Sequence, residues 1–151
     1  MAISTDAIVE FFGTQDTVSS STSSVADGAY SADADTSEWT NDDDAPRASA
    51  VLDCTFSTAP DANSDVELYA RLTDIQSTND QLVPTDNSPW VYLGSFPLKD
   101  VTTAQYIPLE IVLPNTKTSQ GYDFYIKNNG GQTMSSGWDL YITPKTFGPH
   151  A

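Results

Sequence analysis

The chain of 151 residues is long enough to bury one core and too short to need two. Its 21 acids against 6 bases leave a net charge of −15, which argues against polyanionic partners: nucleic acid, whose binding needs Lys and Arg to displace counterions, and anionic membrane surfaces. A single cysteine and a single histidine exclude an intrachain disulfide, a four-cysteine zinc site and the usual histidine-based metal sets.

The acids crowd the first half, where residues 1–65 hold thirteen of them against Arg47 alone. Within residues 1–47, Ile8, Val9, Phe11 and Phe12 form a short strand-like segment, and Thr17 to Ser20 predicts a strand pairing with it across the polar turn 14–16. Residues 19–24 are nearly all Ser and Thr, and 33–44 is acidic, with Trp39 as its one large apolar residue. Neither stretch alone buries enough apolar surface to offset the entropy of ordering it, so 1–47 is expected to be an extended or partly ordered N-terminal arm. No apolar run approaches the roughly 18 residues of a membrane span, and no basic-then-apolar signal opens the chain, so a soluble protein without a secretory signal is expected.

After Pro46 the pattern changes to period two. Ala48, Ala50, Leu52, Cys54 and Phe56 share one parity, and Val66, Leu68, Ala70 and Leu72 repeat it after the turn cluster 59–63; the two runs are expected to pair antiparallel. Cys54 then reads as a buried, inert thiol. Residues 79–89 read as a surface loop, and 91–98 as a strand in which Pro97 requires an edge, a bulge or an end. Ile107, Leu109, Ile111 and Leu113 form the cleanest apolar face, opposite Pro108, Glu110 and Val112. Tyr122, Phe124 and Ile126 alternate with Asp123, Tyr125 and Lys127, and Trp138, Leu140 and Ile142 resume the alternation after Asn128-Asn129-Gly130-Gly131. That sequence predicts a central hairpin.

Six alternating runs without a stretch of helical periodicity predict an all-β, two-sheet antiparallel sandwich over 48–151, jelly-roll-like in preference to immunoglobulin-like.

Residue chemistry points away from catalysis. His150 lies one residue from the end of the sequence, where the precision that proton transfer needs is not expected, and Glu67, Glu110, Asp123 and Asp139 fall on the parity opposite the core. Asp33, Asp35 and Ser37 match the first, third and fifth ligand positions of a helix-loop-helix calcium loop, and Asp44 the twelfth. Glu38 stands where that loop requires glycine, so Asp33, Asp35, Asp42 and Asp44 are weak metal candidates and solvated charge is the preferred reading. No cofactor is expected. Tyr69, Tyr125 and Tyr141 lie on the outer parity of three strands, and Trp39 and Trp90 lie in loops. With Phe11 and Phe12 they are the candidate interface residues, weighed against an outer face covered by the N-terminal segment or a neighbouring subunit.

Set side by side, the runs 68–72, 92–98, 122–128 and 136–141 resemble small virion structural proteins of tailed bacteriophages; the resemblance spans roughly residues 48 to 149 and rests on strand patterns. It implies a non-enzymatic, trimeric decoration or cement subunit, bound to the major capsid protein or other virion proteins on the outside of the head. Assembly would take place in the host cytoplasm. The alternative carried from the exposed aromatics is a carbohydrate-binding sandwich, free or at a tail tip.

Overall fold

The computed structural model describes residues 8–42, 44–73, 81–85, 91–114 and 121–149. Among them run nine strands: β1 (Ile8–Phe12), β2 (Asp16–Ser21), β3 (Trp39–Thr40), β4 (Arg47–Cys54), β5 (Asp65–Thr73), β6 (Val91–Pro97), β7 (Gln105–Val112), β8 (Gly121–Asn129) and β9 (Trp138–Pro149). A single 3-10 turn, Asp33–Asp35, precedes β3.

The strands form two antiparallel sheets packed as a sandwich. In the first, β9 lies between β4 and the N-terminal strands, and β7 flanks β4; in the second the order is β3-β8-β5-β6. β1 and β2 share one edge of β9, from Ile8 opposite Pro149 to Phe12 opposite Lys145, then from Asp16 opposite Ile142 to Ser21 opposite Trp138. Taken as one interrupted strand, they complete an eight-strand set. The first then lies beside the last, third and sixth, and the second beside the seventh, fourth and fifth, which is the double Greek key of a jelly roll.

The alternating runs sit where their parity places them. Ala48, Ala50, Leu52 and Cys54 of β4 and Trp138, Leu140 and Ile142 of β9 face Val66, Leu68 and Ala70 of β5 and Tyr122, Phe124 and Ile126 of β8 across one core. Cys54 is buried, its thiol pushed up to about 12 by burial and then by the neighbouring Asp53 carboxylate, so it stays protonated. Pro97 ends β6, an edge strand. The loop read at 79–89 lies mostly outside the described residues.

Three expected pairings are corrected. β4 and β5 lie in different sheets, as do β8 and β9, and β1 and β2 pair with β9 instead of each other. In a jelly roll most connections cross from one sheet to the other, so a turn after a strand leads to the opposite layer. The crossing after β8 is held by Asn128, fully buried, whose side-chain amide donates to the carbonyls of Val25 (2.9 Å) and Gln132 (2.8 Å). Gly131 completes that crossing at φ +70°, where a Cβ would stand 2.1 Å from the Asp61 carboxylate.

The segment expected as an arm is also built into the body. Residues 28–40 run along the free edge of β8, whose backbone they satisfy, together with Ser19 of β2, partly through hydroxyls. The Phe124 N–H donates to Thr36 Oγ1 (3.1 Å), the Ile126 N–H donates to Ser31 Oγ (3.1 Å), and Ser19 Oγ donates to the Phe124 carbonyl (2.8 Å). Val18, Val25 and Trp39 from this segment enter the core.

Candidate interaction surface

The two outer faces of the sandwich differ in what lies on them. On the second sheet, the turn Asp33–Asp35 and Tyr30 cover the outer side chains of β5 and β8. Arg71 donates from Nε (2.7 Å) and Nη2 (2.6 Å) to Asp123 Oδ2 and reaches Asp33 Oδ1 at 3.2 Å. The Tyr125 hydroxyl donates to the same Asp33 oxygen at 2.5 Å, and burial, reinforced by that carboxylate, holds the phenol far above its ordinary pKa. Tyr30, Tyr69 and Tyr92 follow edge to face, with centroids 5.5 Å apart at each step.

Tyr125 is therefore 0 % exposed, not the open aromatic its parity suggested. Tyr69 is half-buried between the two flanking tyrosines. Trp39 is 7 % exposed: its ring packs on Tyr122 and Phe124, and its indole N–H donates to Asp16 at 3.0 Å, tying β3 to β2. Neither Trp39 nor Tyr125 is exposed: Tyr125 lies beneath the N-terminal segment, and Trp39, itself part of that segment, is buried in the core. Trp90 lies outside the described residues.

The acids weighed for a cation do not converge. Asp33 is taken by Arg71 and Tyr125, and Asp35 Oδ2 accepts the Ala32 N–H at 3.1 Å. Asp42 lines a separate groove with Asp16 and Trp39, and Asp44 is exposed at φ +49°. Among the described residues no group of three or more His, Cys, Asp or Glu side chains could hold a metal.

The outer face of the first sheet is open among the described residues. At one end β9 outruns β4: beyond the Arg47–Lys145 pair, residues 146–149 are paired, among the described residues, with β1 alone, making a two-stranded ribbon. Ile8 (76 % exposed), Phe12 (64 %) and Phe147 lie on its outer side, Val112 of β7 lies on the same face but is separated from Lys145 by Arg47 of β4, and Phe11 lies on the inner side against Gly148. Beneath Phe12 is Lys145, nearly buried. Its ammonium is 5.0 Å from the Phe12 ring centroid, donates to both oxygens of Glu110 at 2.7 Å, and stands 3.9 Å from Glu10. Hydrogen bonds from Lys145 and from Ser49 keep the Glu110 carboxyl below its usual range.

At the other end of the same face stand Tyr106, Asp53 and Asp139 in one row, with Tyr141 in the next, its hydroxyl donating to Asp139 at 3.3 Å. Phe11, Phe12, Tyr69 and Tyr141 thus remain at least partly exposed among the expected contact residues. Ile8, Val112, Tyr106 and Phe147 were missed, though Tyr106 and Val112 share the outer parity of the cleanest alternating run. No protein-family model matches the chain, and no curated protein matches it.

Proposed function

We propose that this chain is a non-enzymatic structural protein of a phage virion, a decoration or cement subunit that binds the outside of the head lattice as a homotrimer and is incorporated in the host cytoplasm. The observation that carries the reading is the β1/β9 ribbon, where Ile8, Phe11, Phe12 and Phe147 are exposed on two faces of an edge. A two-stranded extension gains little stability by itself, and an apolar edge strand invites pairing with another chain. Fully burying one such side chain contributes about 1.5–3 kcal/mol, so a contact engaging several of them is strong enough to hold a subunit on a lattice. The acidic remainder of the surface keeps free subunits apart before assembly. The resemblance of the strand runs to small tailed-phage virion proteins supports the same choice of partner.

The test is cosedimentation with empty heads of a phage that carries this chain, alongside native mass measurement of the free subunit. Wild type should pellet with the heads, and the double variant Phe11→Ser/Phe12→Ser should stay in the supernatant with an unchanged circular-dichroism spectrum. A double variant that pellets as wild type would refute the ribbon as the contact. A wild type that never associates with heads would refute the reading.

A further inference from the structure

The ribbon leaves the far end of the same sheet face unexplained. There the register sets Tyr106 of β7 beside Asp53 of β4, Asp53 beside Asp139 of β9, and Asp139 beside Ser20 of β2, all on the outer side. Like charges directly opposite on neighbouring strands destabilise a sheet. Neither aspartate makes a salt bridge among the described residues; burial, and then Asp139, raise the pKa of Asp53. Tyr106 is 69 % exposed. Each end of the row opens into a groove: one of about 410 Å³ lined by Lys99, Val101, Thr103 and Tyr106, the other of about 390 Å³ lined by Ser20, Thr22, Asp35 and Asp139. Three strand spacings separate β7 from β2, so the row spans about 14 Å across the sheet.

A ligand for this row must offer a flat apolar face to tyrosine and several hydroxyl donors to carboxylates that only accept. It must also be uncharged or cationic, because a net charge of −15 opposes a polyanion. A protein partner would be expected to bring an apolar centre, which the row does not match. We infer that this row is a binding track for a neutral oligosaccharide, with Tyr106 and Tyr141 packing against sugar rings while Asp53, Asp139 and Ser20 bond their hydroxyls. The track uses a different end of the molecule from the ribbon, so it stands or falls independently of head binding.

Affinity electrophoresis of the intact protein through gels containing neutral gluco-, manno- and galacto-polysaccharides tests it. Wild type should be retarded in at least one gel. Tyr106→Ala and Asp53→Asn should each weaken the retardation about tenfold, with unchanged circular dichroism. Migration unaffected by all three polysaccharides would overturn the inference, as would retardation of Tyr106→Ala equal to wild type. So would retardation abolished by a chelator, since the aspartates would then be holding a cation.

Discussion

The two outer faces of this sandwich are built from the same strand grammar and treat charge in opposite ways. On the second sheet the central acids share a base: Arg71 lies between Asp123 and Asp33, and Tyr125 closes the set. On the first sheet, neutralisation stops halfway. Lys145 serves Glu110 and Glu10 at the ribbon end, while Asp53 and Asp139 face each other at the far end without a base among the described residues. A face covered by its own chain must settle its enclosed charges, here Arg71 and Asp123, internally, because little water reaches them. A face left open can defer that to a partner.

Removing Arg71 is the most damaging way to break this contrast. Arg71→Met leaves Asp123, nearly buried, without its counter-charge, and frees the turn that covers Tyr125. The expected loss is about 3 kcal/mol, at the low end for a broken buried pair because Asp33 is more than half exposed. Urea denaturation would read it, and a loss under about 1 kcal/mol would mean that the covered face is held by backbone contacts instead.

Next comes Lys145→Met, which keeps the packing beneath Phe12 and removes the charge. Glu110 is half exposed and can turn to water, so the expected loss is about 1.5 kcal/mol, the lower limit for a hydrogen bond to a charged group. The pH dependence has a defined sign. Glu110 has a lowered pKa when folded, so its contribution is present above the ordinary carboxylate range and is lost as pH falls through the lowered value. The acid limb of the wild-type stability profile should therefore flatten in Lys145→Met. An unchanged limb would show that Glu110 is not the group responsible.

The same contrast accounts for what could be read from the sequence. Residues 48–54, 66–72 and 138–142 declare their inner faces because burial on one side forces period two, and those faces are where the alternation puts them. Alternation reports a face and says nothing of the neighbour, which is why the β8 to β9 connection looked like a hairpin and is a crossing between sheets. The N-terminal segment was opaque for a different reason. Its core residues Val18, Val25 and Trp39 come singly, and its hold on β8 combines backbone bonds with the hydroxyls of Ser19, Ser31 and Thr36. A composition rich in Ser and Thr reads as solvated chain unless a bare strand edge is already in view. The expectation of exposed aromatics failed at Tyr125 and Trp39 for that reason, and held at Phe12, where β1 lies on the edge with nothing beyond it among the described residues.

The smallest effect is expected where the open face leaves its charges unsettled, and its sign is reversed. Asp53→Asn removes one of two like charges set opposite each other, so the variant should be more stable than wild type at neutral pH by about 0.2–1 kcal/mol. Asp53 has a raised pKa when folded, so the repulsion is present above that value and disappears as pH falls and the folded protein takes up the proton first. The advantage of Asp53→Asn should accordingly shrink between pH 7 and about pH 4, near the ordinary aspartate value. Paired urea titrations at the two pH values would measure it. A variant less stable than wild type at pH 7 would mean that the carboxylate already has a partner within the fold. A gain in stability that coincides with lost retardation in the polysaccharide gels would mark Asp53 as a residue kept for binding at the expense of the sheet that carries it.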